Sequence, residues 1–419
     1  MAKPNYIKSS GAALYADEHQ LKRVNSFSAD ASFTDEDILE LANAGVAETI
    51  DDIDTVSVTV DCHEFGSTDN MANSVNFFQT GDNNEHYITD DSFDNAQVDF
   101  ILQVTSGTNT NALMASYWYG GAWLSGYSAS YSVDGTATES FTFEGEHKRI
   151  FMNAYRDTKV VSGTRTASTT ATIYGANLQT GYTPRILTVN GEVKADVKNS
   201  GTITFTDASA NTTVTATTDG STAVSFAVGD RVRVVYVKNT AASFASLTST
   251  PSGLGALRKG MIDIYLFNGT SGNVERTLRL QSLNYDIDLS RTEADQLGYK
   301  RTYARSLDRP INITVTAEAL LDDLEMFAKV ANAESTFDTM ALNEIDIDDF
   351  TNDTKLIVKL YKSEVTHSAA NLLKTIVIDD LSVSSDAFSV DAGGLNTVTL
   401  NFSAKHCIIS GSSVSPFLG

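Results

Sequence analysis

The closest this chain comes to a metal-ligating motif is the acidic string Asp346-Ile347-Asp348-Asp349, with Asp353 after it. A similar run, Asp90-Asp91-Ser92-Phe93, occurs earlier. Carboxylates at this density could hold calcium, but a calcium loop also needs a central Gly and a Glu at its twelfth position, and both are missing. The string reads as a solvated loop. The six histidines, at positions 19, 63, 86, 147, 367 and 406, show no ligand spacing. His63 beside Cys62 and His406 beside Cys407 would point to opposite faces of a strand, so neither pair forms a joint ligand set. Neither cysteine has a C-x-x-C partner. G-x-S-x-G, Walker and H-E-x-x-H motifs are absent. A glycan hydrolase would want a carboxylate pair in a Trp-rich cleft, and the chain holds only Trp118 and Trp123. No catalytic residue, metal or cofactor is therefore expected, and the chain does not read as an enzyme.

The polar residues that do recur with regular spacing are hydroxyls, amides and carboxylates. In residues 24–33, Ser26, Ser28, Asp30 and Ser32 alternate with Phe27, Ala29, Ala31 and Phe33. In residues 56–61, Ser57, Thr59 and Asp61 alternate with Val56, Val58 and Val60. The same design returns later: Asn284, Asp286 and Asp288 against Leu283, Tyr285, Ile287 and Leu289, and Asn312, Thr314 and Thr316 against Ile311, Ile313 and Val315. A period of two means antiparallel strands with one buried and one wetted face. The wetted face in these runs carries no Lys or Arg. Such a surface does not trap phosphates.

These runs belong to an internal duplication. Residues 24–42 (VNSFSADASFTDEDILELA) match 280–298 (LQSLNYDIDLSRTEADQLG) at an offset of 256. Residues 56–64 match 311–318, 98–104 match 354–360, and 131–143 (YSVDGTATESFTF) match 388–400 (FSVDAGGLNTVTL), all in the same order. A domain doubled within one chain builds a ring or array from fewer subunits. The expected division is residues 1–155 for the first copy, 156–256 for an insert and 257–419 for the second copy. The chain is long enough, at 419 residues, for two or three cores. The insert is rich in Thr, Ala, Ser and Val, with short strands expected at 172–174, 186–189, 202–205, 213–216 and 232–237, and reads as a small all-β sandwich or barrel.

The formal net charge is −23. The insert carries nine basic and six acidic residues, so the acidity belongs to the duplicated copies. That balance argues against a protein that grips nucleic-acid phosphates, and it also fits plain solubility or a salty habitat. Each copy is expected to be a β-sandwich or half-barrel with one helix. The helix is placed at 318–332, where Leu320, Leu321, Leu324, Phe327 and Ala328 fall at helical spacing, with a weaker counterpart at 64–75. The connections at 34–54 and 290–309 are too long for a hairpin turn and read as loops. The first is acidic (Asp35, Glu36, Asp37, Glu40); the second holds Arg291, Lys300, Arg301 and Arg305. Their complementary charge could set register between neighbouring subunits. Residues 1–14 (MAKPNYIKSSGAAL) lack the apolar core of a secretion signal, and no apolar run is long enough to span a membrane, so cytoplasmic synthesis and no membrane partner are expected.

In the strand leading into a loop that ends "ELA" or "QLG", the V-x-V-x-V strand after it, and the closing Y/F-S-V-D-x-G hairpin, the chain resembles the tail tube (major tail) proteins of tailed phages and viruses. It resembles the branch with two tube domains per chain. The resemblance covers both copies. It implies a structural virion protein with no enzymatic role, in which three chains form a pseudo-sixfold ring and rings stack into a hollow tail tube for genome ejection. The insert would be an immunoglobulin-like decoration. Ser28, Asp30, Ser32, Ser57, Thr59, Asp61, Asn284, Asp286, Asp288, Asn312, Thr314 and Thr316 would line the lumen. DNA would pass without specific binding. Other partners would be the tape measure, terminator and tip proteins of the tail, and the location the virion tail. The competing expectation is a secreted or surface β-modular adhesin.

Overall fold

The computed structural model describes residues 12–16, 19–21, 24–32, 35–39, 46–51, 55–63, 85–87, 97–105, 113–152, 156–161, 169–173, 178–208, 211–227, 230, 232–238, 257–268, 276–277, 280–294, 297, 304–320, 354–389 and 396–410. Repeat 1 contains β1 (Ala12–Ala16), β2 (His19–Gln20), β3 (Val24–Ser32), β4 (Asp35–Leu39), β5 (Val46–Asp51), β6 (Thr55–His63), β7 (Glu85–Tyr87), β8 (Gln97–Thr105), β9 (Leu113–Ser132), β10 (Thr138–Gly145) and β11 (His147–Met152). The insert contains β12 (Arg156–Val161), β13 (Thr170–Ile173), β14 (Tyr182–Val189), β15 (Glu192–Asp196), β16 (Thr202–Ala208), β17 (Asn211–Thr217) and β18 (Val232–Lys238). Repeat 2 contains β19 (Ile262–Asn268), β20 (Arg276–Thr277), β21 (Leu280–Asp288), β22 (Arg291–Ala294), β23 (Ala304–Leu307), β24 (Asn312–Leu320), β25 (Thr354–Tyr361), β26 (Leu372–Asp379), β27 (Ser382–Ser389), β28 (Thr397–Ala404) and β29 (His406–Ser410).

Eight strands form one continuous antiparallel sheet in the order β3-β6-β10-β9-β21-β24-β28-β27. The first four come from repeat 1 and the last four from repeat 2, each set in the same internal order. Over this long sheet lie two cover sheets, one holding β1, β8, the start of β9 and β11, the other β20-β19-β25-β26-β29-β7. The buried side chains between long sheet and covers make a single hydrophobic cluster that runs through both repeats, from Val58 and Phe141 to Val315 and Phe402. The long sheet has two edges and no closed barrel exists among the described residues.

Ladder irregularities fix which residues correspond. A bulge sits after Val24 in β3 and after Leu280 in β21, which aligns the two first strands as the sequence match does. In the next strand Phe27 faces Val60, whereas Leu283 faces Ala317. Val56 thus corresponds to Ile313, two residues beyond the Ile311 that sequence matching selects. In the closing hairpin Phe141 corresponds to Leu400, again two beyond the Val398 of the sequence match. An even shift keeps every side chain on its own face, so the slip is invisible to periodicity. Where β9 bends from cover sheet to long sheet, Gly121 has φ +65°. Asp380, at the corresponding break between β26 and β27, has φ 56°. Both copies need a left-handed residue at this corner.

Two expectations change. The connections read as loops are β-hairpin arms, with β4 on β5 and β22 on β23, so that folding back pairs backbone groups the connection would otherwise leave to water. Of the expected helix at 318–332, Glu318 and Leu320 continue β24, opposite Thr399 and Thr397. The β-ladder takes those backbone groups before a helix can. Residues 321–332 lie outside the described residues, as does the counterpart at 64–75. The insert is a two-sheet β sandwich, β12-β18-β14-β15 over β13-β17-β16, with its own core around Val214, Val232 and Val234. It contains all five expected strands, plus β12 and β15.

Candidate functional site

Directly opposed residues share a face of an antiparallel ladder. One row therefore runs Ser26, Asp61, Ser140, Ser128, Asp286, Thr314, Ser403. A parallel row runs Ser130, Asn284, Thr316, Asn401, Ser385. All twelve residues selected from sequence fall on this one face. Ser28, Asp30, Ser32, Ser57, Asn284, Asp286, Asp288, Asn312 and Thr314 are exposed; Thr59, Asp61 and Thr316 are half-buried. The chain has 30 Lys and Arg, and none occurs in any of the eight strands.

Short polar side chains knit the face laterally. Asp61 accepts hydrogen bonds from Ser26 and, at 2.6 Å, from Ser140. The Thr316 hydroxyl donates to Asn401 at 2.9 Å, and Asn401 donates onward to Ser385 at 3.0 Å. Although the Asp286 side chain reaches solvent, the strands flanking it strip away part of its hydration, and with Asp288 close by this raises its carboxyl above the usual range. A raised folded-state value means that folding favours the protonated acid. That stability is present in acid, below the ordinary carboxylate range, and is lost as pH rises through the Asp286 titration. Asp286→Asn is therefore expected to raise the melting temperature slightly at neutral pH, with the gap closing in acid. A thermal melt series across pH reads it, and a loss of stability at neutral pH counts against it.

The joint between repeats is the second feature. Inside the chain β9, which ends the repeat 1 half of the long sheet, pairs with β21, which begins the repeat 2 half, from Ser282 opposite Ser132 to Asp288 opposite Gly126. The corresponding outer strands, β27 and β3, are the edges of the long sheet. Burial differs accordingly. Leu283, Tyr285 and Ile287 of β21 are buried at 0%, 1% and 0% exposure. Their counterparts Phe27, Ala29 and Ala31 on β3 are only half-buried.

Two buried polar clusters lock the internal joint. Lys374 of β26 pairs with Glu139 of β10, at 0% and 3% side-chain exposure. The Tyr127 hydroxyl donates to Glu139 at 2.7 Å and lies 3.1 Å from the Tyr285 hydroxyl. Burial pushes the Tyr285 phenol up, and pushes the nearby Cys407 thiol up to about 12. Sequence reasoning missed this pair. Its signal was a lone Glu in the apolar row Ala137, Phe141, Phe143 and a lone Lys inside LLKTIVID. Register makes Ala115 the counterpart of Lys374, opposite Val104 as Lys374 is opposite Leu360, and Val398 the counterpart of Glu139.

The arms supply the other cluster. Arg291 donates from Nε to the Leu124 carbonyl at 3.2 Å and stacks 5.0 Å over the Trp123 ring. Arg305, with 4% side-chain exposure, contacts Glu144 and Glu146 of repeat 1 as well as Glu293. Both arginines, selected from sequence as contacts between subunits, are engaged here between the two repeats of one chain. The backbone of Asp35, Glu36 and Asp37 lies in β4; Glu40, Lys300 and Arg301 lie outside the described residues.

The insert is fastened to repeat 1 by Arg233, 2% exposed, which bonds the Gln97 carbonyl and lies 3.8 Å from buried Asp99. Asp99 also accepts from the Trp118 indole and the Gly121 amide, both at 2.9 Å. Among the described residues no three His, Cys, Asp or Glu side chains gather as a metal site, and no helix is long and apolar enough to cross a membrane. The acidic strings at 90–93 and 346–353 lie outside the described residues.

The chain matches no protein-family model, and no curated protein matches it in sequence.

Proposed function

We propose that this chain is a structural tube protein of a viral tail, assembling into rings of three chains that stack around a hollow lumen. The observation that carries the reading is the internal joint. β9 on β21 is a worked instance of repeat-to-repeat pairing, and the outer edges β27 and β3 are the same two strands waiting for neighbours. Repeating that pairing between chains is head-to-tail, and a head-to-tail contact closes into a ring when its rotation allows. Closure would also remove two exposed sheet edges.

Charge supports the same pairing. In repeat 2 the arm carries Arg291 and Arg305 and meets Glu146 of repeat 1. In repeat 1 the corresponding arm positions are Asp35 and Thr49, and the counterpart of Glu146, at the bend before the last strand, is Lys405, 60% exposed. The sign is exchanged from Arg291 to Asp35 and from Glu146 to Lys405, while Thr49 is neutral, so an acidic arm position would face a basic bend at a joint between chains.

With the cation-free face turned inward, the lumen offers hydroxyls, amides and carboxylates to passing DNA. Phosphates gain no counterion release from such a wall, so the genome slides without sticking. The immunoglobulin-like identity of the insert and contacts with tape measure, terminator and tip proteins belong to this proposal.

Negative-stain microscopy of the purified chain is the first test: rings or stacked tubes are expected, and monomers under all conditions sink the reading. The lumen assignment has its own test. Particles carrying Asp30→Lys, Asp286→Lys and Asp288→Lys are expected to assemble normally and to deliver genomes poorly, with a delay that shrinks at high salt. Unchanged infectivity would exclude this face from the lumen.

A further inference from the structure

We propose that the outer edge of β11 is a docking strand for a second copy of this chain, and that it accepts there a short β-strand from that copy's second repeat. The proposal rests on the ring reading above but concerns the outer wall, which the sheet-edge pairing does not involve.

The chain carries its own control. β11 and β29 correspond: each follows a single bend residue, Glu146 and Lys405, and each pairs with the matching part of a cover sheet. His147 lies opposite Gly120 as His406 lies opposite Asp379, which makes Ile150 the counterpart of Ile409. β29 has a partner on its other side. β7, donated by repeat 1 across the joint, pairs with it, Tyr87 opposite Ile408, His86 opposite Ile409 and Glu85 opposite Ser410. Among the described strands β11 pairs only with β9.

The side chains report the same asymmetry. Cys407 and Ile409 are buried at 0% exposure. At the corresponding positions Lys148 is exposed and Ile150, a large apolar side chain on a strand, is 51% exposed. An apolar residue on an edge that no described strand pairs is a template for strand addition.

The occupant follows from the ring proposed above. β29 is covered by the repeat that precedes it at the joint. β11 belongs to repeat 1, and the repeat that would stand before it in such a ring is repeat 2 of another copy, so each joint would carry two ladders, one in the long sheet and one in the outer wall.

The test compares Ile150→Asp with Ile409→Asp in the full chain, by light scattering and thermal melting, with hydrogen exchange of the wild type before and after assembly. Ile150→Asp is expected to melt like dissociated wild type yet to need at least about 100-fold more protein to assemble, the scale of one interface hot spot. Ile409→Asp is expected to lower the melting temperature of the monomer. Amides of residues 147–152 should gain protection on assembly. If Ile150→Asp assembles like wild type, or those amides stay unprotected in wild-type rings, the docking strand is refuted while the ring reading stands. A wild type that never assembles overturns both.

Discussion

Ala29→Asp is expected to yield a folded monomer that no longer assembles. Ala29 is half-buried on edge strand β3, and its counterpart Tyr285 is 1% exposed because β9 covers β21 inside the chain. In the isolated chain the new carboxylate sits at a partly open edge of the core and is only partly desolvated, so it costs less there than in a ring. In a ring it would have to enter the same dry core that surrounds Tyr285. An unpaired buried charge costs several kcal/mol or neutralises at a comparable cost. At about 1.4 kcal/mol per tenfold change, assembly should weaken by at least roughly 100-fold. Sedimentation velocity reads the outcome, with circular dichroism as the check on folding. Wild-type assembly by this variant would mean that β3 is not the ring edge.

The second large effect is on stability. Lys374→Met should destabilise the chain by about 3–5 kcal/mol, because it takes the compensating cation away from a charged, buried Glu139. Removing both charges should be far milder, since a buried ion pair is often replaceable by well-packed apolar groups. The chain contains the precedent: the counterparts of Lys374 and Glu139 are Ala115 and Val398, 6% and 3% exposed. Lys374→Met with Glu139→Val is therefore expected to recover most of the loss. Urea unfolding separates the two, as a drop in midpoint for the single variant at unchanged slope. A single-variant loss under about 1 kcal/mol would show that the pair does not hold the repeats together.

The pair also makes the two kinds of joint chemically distinct. The joint within a chain is locked by Lys374 with Glu139 and by Arg305 with Glu144 and Glu146. The proposed joint between chains has an apolar pair at the first of these places. We read the fused joint as the permanent one and the other as the joint made during assembly.

Much of this was legible before any coordinates. Alternation in SFSADASF, VSVTVD, LNYDID and INITVT named the wetted face, because a strand sends successive side chains to opposite sides whatever its neighbours are. The repeated blocks declared the duplication, and regular turn signals declared the β insert. What alternation cannot hold is the identity of the neighbour. A shift of two residues preserves every face, which is why Val56 was matched to Ile311 when the ladder makes it equivalent to Ile313. Glu139 and Lys374 are 235 residues apart, and each alone looks like a misplaced charge in an apolar run. Arg305 likewise declares nothing until folding carries its arm to Glu144 and Glu146. The sequence by itself determined the class of structure, the doubling and the chemistry of each strand face, all properties of local spacing. Only the tertiary structure decided that the two copies share one sheet, which edges they leave open and which buried charges close the seam, because strand pairing is made between residues far apart in the chain and is fixed by packing and register.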